Sequence, residues 1–295
     1  MRPPETRPGD TIALVAPAGP VPADLVEKAL PVLRGWGVEV RVGDCVRAAP
    51  SGYLSASDEE RAAEFTQAWL DPAVTCVLAA RGGYGSQRML DLVDWSALGA
   101  AGPKTFAGSS DVTALHRAVN VHLGLETLFS AMPATTLFDA VAAEHLRSSL
   151  FEPDAVRTIS SSTSSPLVPG TATGTIIGGN LALLAAGLGT PEQGSARDAI
   201  VLLEDVTENV YRIDRMLTQL LRSGWLDGVR GFVLGSWESC GDTEPIRSLM
   251  LDRLGSFGVP MVWEFGFGHV PASPTIPLGA QATLDADAGT LQVLP

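Results

Sequence analysis

Phe106-Ala-Gly-Ser-Ser-Asp-Val-Thr-Ala-Leu-His116 is the stretch on which the reading of this chain turns. Lys104 to Ala107 reads as a short buried strand, and Gly108, Ser109 and Ser110 as a tight turn. Asp111 to Leu123 reads as a helix with Val112, Leu115, Val119 and Leu123 on one face. Strand, turn and helix in that order lift a side chain onto a sharp elbow at the carboxyl edge of a sheet, with a helix N-terminus behind it. An oxyanion forming there is stabilised. Gly-Ser-Ser-Asp is equally an ordinary turn with Ser110 or Asp111 as N-cap, so the stretch alone leaves both readings open. It is not the α/β-hydrolase elbow, which needs Gly two residues after the Ser, where Val112 stands.

Outward from the elbow, strands and helices alternate. Thr11–Ala16 and Val38–Val42 are strands around a helix from Ala23 to Trp36. Ser57 and Glu60 form a capping box for a helix running to Leu70, and Val74–Ala79 is a further buried strand. This pattern predicts parallel βαβ units. Arg81-Gly-Gly-Tyr-Gly-Ser86 follows the Val74–Ala79 strand directly and opens a helix to Leu92. It is either a plain tight connection or a backbone donor facing the Ser110 elbow. It has neither the third Gly of a dinucleotide loop nor a P-loop Lys. A strand at Leu125–Ala131 and a helix at Leu137–Phe151 precede Ser160-Ser-Ser-Thr-Ser-Ser165, Pro166, Pro169 and Gly170, where the pattern breaks.

The expected organisation is therefore an N-terminal parallel-sheet α/β domain over residues 1–157, a linker over 158–173 and a C-terminal domain over 174–295. The last holds strands at Ala199–Leu203, Gly231–Gly235 and Met261–Glu264, helices at Tyr211–Ser223 and Glu244–Phe257, and a closing hairpin around Asp287-Ala-Gly289.

Composition narrows the function. Hydrophobic residues make up 45% of the 295 and charged residues 18%, enough apolar side chains for a packed core. A net charge of −13 with no Lys/Arg cluster argues against nucleic acid as a partner. No apolar run approaches a membrane span, and no apolar signal core follows the N-terminus; the expected location, cytoplasmic, rests on the cysteines. Cys45, Cys76 and Cys240 are scattered and odd in number, as reduced thiols are, and no His or Cys pair has metal-ligand spacing. Neither a cofactor nor a metal is expected.

Acyl transfer by serine needs an exposed hydroxyl, an imidazole to move its proton and a carboxylate to orient that imidazole. The chain has four histidines. His116 and His122 lie on the elbow helix, His116 turned away from Ser110. His145 lies on a polar helix, where it is expected to be solvated. His269 stands in the Gly/Pro-rich loop Gly266-Phe-Gly-His-Val-Pro271. Glu204 ends the apolar Ala199–Leu203 strand, with Asp205 beside it as a competitor.

Several stretches taken together resemble the serine LD-carboxypeptidases of the murein-recycling type. They are Ile12-Ala-Leu-Val-Ala-Pro17, Arg81-Gly-Gly-Tyr-Gly85, Gly108-Ser-Ser-Asp111, Leu203-Glu-Asp-Val206 with Tyr211-Arg-Ile-Asp-Arg215, and Gly268-His269 with Pro277-Leu-Gly279. Gly178-Gly-Asn-Leu181 and Leu188-Gly-Thr-Pro191 fit as well, and the order and spacing span nearly the whole chain.

The resemblance implies a triad of Ser110 as nucleophile, Glu204 as acid and His269 as base, with an oxyanion hole from the backbone N–H groups of Gly83 and Asp111. It also implies a β-rich C-terminal domain, a site in the cleft between the domains and a homodimer. Two positions depart from the pattern. Ser109 stands where relatives carry an aromatic residue, leaving a second hydroxyl beside Ser110, and Thr207 stands where a Gly is common.

The expected function is release of terminal D-Ala from murein tetrapeptide, with Arg81 or Arg212 as the cation for the substrate carboxylate. The competing readings are the sister branch, which hydrolyses peptidyl-adenylate antibiotics, and a non-catalytic small-molecule-binding protein.

Overall fold

The computed structural model describes residues 1–295. β1 (Thr11–Val15), β2 (Glu39–Val42), β3 (Val74–Ala79), β4 (Thr105–Gly108) and β5 (Thr127–Phe129) pair in parallel in the order β5-β4-β3-β1-β2. Helices cross between them. The one at Asp58–Leu70 starts at the expected capping box, Ser57 accepting from the Glu60 N–H at 3.2 Å and Glu60 from the Ser57 N–H at 2.9 Å. Side chains of β1, β3 and β4 are buried on both faces. Ala13, Val77 and Phe106 face one core, and Ile12, Leu78 and Ala107 the other. The strand order reverses between β1 and β3, so the loops after these two strands open a crevice at the carboxyl edge.

The second sheet contains β6 (Thr158–Ser160), β7 (Ser165–Val168), β8 (Thr171–Asn180), β9 (Ala199–Val206), β10 (Gly231–Glu238) and β11 (Met261–Trp263). β12 (Ile276–Leu278) returns to the first sheet and pairs antiparallel with β5. The second sheet then closes with β13 (Gln281–Asp285) and β14 (Thr290–Val293), in the order β6-β14-β13-β8-β9-β10-β11-β7. Its centre, β8 to β11, is parallel.

β6 and β7 fall inside the 158–173 stretch expected to be a linker. β6 pairs with β14 and β7 with β11. A helix at Trp95–Ala101, started by the Asp94 side chain on the Ala97 N–H, is an element absent from the sequence reading.

β9 shows how the two sheets join. Ile200, Val201, Leu202 and Leu203 are all fully buried, each burial favouring the fold by about 2 kcal/mol. Val201 and Leu203 face the helices Val210–Arg222 and Thr243–Leu254. Ile200 and Leu202 pack instead with Phe129 of β5 and with Ile276 and Leu278 of β12. By strand alternation Glu204 continues the Ile200–Leu202 row, the row directed at the first sheet. No helix is long and apolar enough to cross a membrane.

Candidate active site

The elbow is built by two unusual backbone positions. Gly108, at φ +156°, closes β4 where a Cβ would stand 2.8 Å from Val112 and 3.0 Å from Ala79. Ser110 sits at φ +61°, a left-handed conformation that costs a non-glycine residue about 1–2 kcal/mol. Ser109 is extended and buried, whereas Ser110 is half-buried. Of the two serines, Ser110 alone carries the left-handed strain.

The N-cap alternative does not describe this turn, because no side-chain cap bond forms at the start of either helical segment. Asp111 turns away from its own helix. Its carboxylate accepts the Ser86 N–H at 2.8 Å, and its carbonyl accepts the Ser86 hydroxyl at 2.6 Å. Burial pushes the Asp111 carboxyl up, against the pull of those bonds. The Gly-rich loop is thereby fastened to the elbow.

Gly82 fits against the serine because it lacks a Cβ, which would stand 3.1 Å from Ser110 Oγ and 3.3 Å from Asp111 N. The Gly83 N–H has no partner within the protein. The Gly19 N–H donates to Gly82 O at 3.0 Å, joining the loops after β1 and β3. Arg61, only 1% exposed, donates to Pro17 O and to Gly85 O while pairing with Asp58. It pins both loops from below.

Glu204 and His269 meet. His269 Nδ1 lies 2.6 Å from Glu204 Oε2, and Glu204 is fully buried. With Nδ1–H donating to the carboxylate, Nε2 is left to act. Burial pushes the imidazole down. The charge and hydrogen bond of Glu204, with Asp205 behind, outweigh burial and hold it above the ordinary histidine value.

A bulge makes this contact possible: Leu234 pairs with Leu203 and Trp237 with Asp205, so Gly235 and Ser236 together oppose Glu204. Ser236 Oγ then accepts the His269 N–H at 3.0 Å. A Cβ on Gly235 would stand 2.6 Å from Phe267 O, so that glycine admits the histidine loop.

Asn180 connects this pair to the elbow. Its backbone N–H donates to Thr113 Oγ1 at 3.1 Å, and its side-chain amide donates to Glu204 at 3.2 Å and Asp205 at 3.0 Å. Burial, and then the neighbouring Glu204, push the Asp205 carboxyl up to about 6. Asp205 also accepts from the Ala182 and Val206 N–H groups, so it is occupied in holding backbone and does not compete for His269. Ser110 Oγ and His269 are not hydrogen-bonded to each other. The Thr113–Asn180–Glu204 bridge is the hydrogen-bonded link between the two halves of the site.

Each other histidine has a different partner. His116 is not merely turned away: it is fully buried and bonded through Nε2 to Gly108 O at 2.9 Å. Burial pushes it down to about 4, against the pull of that carbonyl. His122 stacks on Trp95 and meets Glu192 at 2.9 Å. His145, expected to be solvated, is largely covered and accepts the Thr275 N–H at 3.1 Å, which ties the histidine loop to the helix Ala140–Phe151.

The two candidate substrate cations are already engaged. Half-buried Arg81 donates to Pro20 O at 2.5 Å, and exposed Arg212 pairs with Glu208 at 3.7 Å and donates to the Tyr211 hydroxyl at 3.3 Å. Neither bonds to Ser110, Glu204 or His269. Arg61, Asn180 and Ser236 are the residues the sequence reading left without a role. Only Asn180 carried a signal, inside Gly178-Gly-Asn-Leu181.

Known proteins share this arrangement of chain. Residues 12–130 match the LD-carboxypeptidase N-terminal domain and residues 173–284 the LD-carboxypeptidase C-terminal domain. A putative carboxypeptidase of Streptomyces coelicolor is 54% identical over 99% of this chain and 95% of its own. The crystal structure of a muramoyltetrapeptide carboxypeptidase from Oxalobacter formigenes is 31% identical, with a TM-score of 0.78 over 96% of this chain and 97% of its own. An MccF-like protein from Bacillus anthracis superposes with a TM-score of 0.89 over 100% of this chain and 99% of its own, at 23% identity, and shares the fold. With both of the family's domains matched in order along one chain, this protein belongs to the LD-carboxypeptidase family and is a serine-type carboxypeptidase, a hydrolase.

Proposed function

We propose that the enzyme releases the terminal D-Ala of murein tetrapeptide through an acyl-enzyme formed on Ser110. The observation that carries this reading is the buried Glu204 in contact with His269 on the same bridge that reaches the strained Ser110 turn. In the first step Ser110 Oγ attacks the carbonyl of the L-centre of the diamino acid. His269 Nε2 takes the hydroxyl proton and returns it to the amine of the departing D-Ala. Glu204 holds Nδ1–H and stabilises the imidazolium. The Gly83 and Asp111 N–H groups receive the oxyanion. Water then attacks the ester with His269 again as base, freeing the tripeptide and regenerating Ser110. Arg81 and Arg212 are the cations available to the substrate carboxylate, each after giving up its present partner. The similarity to a muramoyltetrapeptide carboxypeptidase supports the substrate class. The same reading makes the enzyme a cytoplasmic homodimer.

The test is free D-Ala release from L-Ala-γ-D-Glu-diaminoacid-D-Ala, from its C-terminal amide, and from a pentapeptide ending in D-Ala-D-Ala. Release from the first alone is expected, and equal release from all three refutes the L,D reading. No release from any, with cleavage of an aminoacyl sulfamoyl adenylate, assigns the peptidyl-adenylate branch instead. Ser110→Ala should lower the rate by several orders of magnitude and Ser109→Ala should change it little. The reverse result removes Ser110 from the mechanism.

A further inference from the structure

Arg117 is a buried guanidinium with no carboxylate. It lies on the elbow helix Thr113–Ala118 and is 8% exposed. Its Nη2 donates to Gln193 O at 3.0 Å, and its buried Nε has no partner. Burial pushes the group down only to about 10, so it stays charged at neutral pH. Arg61, more deeply buried still, has Asp58 and three carbonyls around it. A buried cation with no carboxylate bonded to it is unfavourable, and an anion in direct contact would relieve it.

The surroundings are those of a binding site. Arg117 lines a cavity of about 340 Å³ between the helices Ser86–Met89, Thr113–Ala118 and Leu181–Ala186 and the loop from Gly187 to Gln193. That volume lies in the range of small-molecule sites. Leu90, Leu183, Pro191 and Trp225 give it apolar walls. The loop beside it is shaped to the guanidinium: Gly194 has φ +56°, and a Cβ there would clash with Arg117 Nη2. Two carboxylates also line the cavity, Asp91 and Glu192, the latter held by His122. They disfavour a ligand with more than one negative charge. Ser110, Glu204 and His269 do not line it.

We propose that this cavity binds a small organic monoanion, a carboxylate on an apolar body, with the carboxylate on Arg117 and the body against Leu90, Leu183 and Trp225. The site lies behind the elbow: Gln87 in its wall follows Ser86, which holds Asp111, and Ala114 follows Thr113, which holds Asn180.

The probes are benzoate and its neutral isostere benzamide, titrated into the full chain by calorimetry and followed by thermal unfolding. Benzoate should bind and raise Tm, with benzamide at least about tenfold weaker. A carboxypeptidase has a second place for carboxylates, its own catalytic site, so the variants decide. Arg117→Met should abolish benzoate binding and leave peptide turnover in place. Ser110→Ala should keep benzoate binding. Benzoate binding retained in Arg117→Met, or benzamide binding as well as benzoate, overturns the proposal. So does inorganic phosphate binding as tightly as benzoate. Should Arg117→Met fail to fold, Gln87→Glu replaces it. That near-isosteric change puts another negative charge on the wall and should weaken benzoate about tenfold or more. Unchanged binding in Gln87→Glu overturns the proposal equally.

Discussion

Gly268→Ala tests the assembly of the site without removing any reacting group. Gly268 has φ +110°, and a Cβ there would stand 2.6 Å from Glu204 Oε2, 2.7 Å from Ser236 Oγ and 3.0 Å from Glu204 Cβ. Ordinary van der Waals contact begins at 3.4 Å, so the methyl group lacks about 0.8 Å. None of the three atoms is the loose end of a surface side chain: Glu204 is fully buried and held by Asn180, and Ser236 accepts the His269 N–H.

The displacement must therefore move the histidine loop off the carboxylate, lengthening a 2.6 Å contact. A misplacement of about 1 Å at reacting groups lowers turnover on the order of 100-fold. The positive φ adds about 1–3 kcal/mol of strain, a fall of several degrees in Tm for a chain of this size. The assay is kcat/KM for D-Ala release alongside calorimetric unfolding and NMR titration of the His269 ring. The expected variant is folded, somewhat less stable, about 100-fold slower, and has a His269 titration midpoint moved down toward the free value. A variant within about threefold of wild type and with an unmoved His269 titration would refute the role given to the Glu204–His269 contact.

Two further outcomes follow from the same geometry. His269 is held above its ordinary value of 6.5, so kcat/KM should rise with pH through a midpoint above about 6.5 if His269 is the proposed base, which works as neutral imidazole. The sign for stability is opposite: stabilisation of the imidazolium by Glu204 is fully present below the unfolded value and is lost as pH rises through the folded one. Glu204→Gln should bring the midpoint down, and a rate that is flat from about pH 5 to 8 would remove His269 as the base. Thr207 occupies φ +59°, which explains why glycine suits that position. Thr207→Gly should stabilise by about 0.5–1 kcal/mol, the relief of left-handed strain less the added chain entropy, read as a higher urea midpoint. A loss of about 1 kcal/mol would show instead that the Thr207 hydroxyl, bonded to Val206 O, outweighs the strain.

In the first sheet β2 was legible only as Val40 and Val42 alternating with Glu39 and Arg41, and β1 and β3 because each is a local apolar run. β9 was legible for the same reason, being buried on both faces. What sequence patterning left out depends on distant pairing. β6 and β7 lie in a Ser- and Pro-rich stretch whose composition reads as loop, and they are strands only because β14 and β11 offer them edges. Arg61 sits among acidic and small residues in Asp58–Leu70, the pattern of a solvated face. It is buried because three carbonyls from distant loops and a nearby turn converge on it. Glu204 and His269 were readable as a strand-end acid and a loop imidazole, one by one. Their contact depends on the Gly235–Ser236 bulge, which leaves no periodic trace.

β12 gives the enzyme a timetable. The first sheet keeps an open edge at β5 until residues 276–278 are available, and these are the residues that follow the His269 loop. During synthesis the nascent N-terminal part therefore presents an unpaired strand edge, the kind of surface that recruits wrong partners. The step that closes that edge also anchors the far end of the segment carrying His269. Closure of the first sheet and anchoring of the His269 segment thus arrive together, and a ribosome-bound chain short of β12 has the Ser110 turn without that anchor for the proposed base.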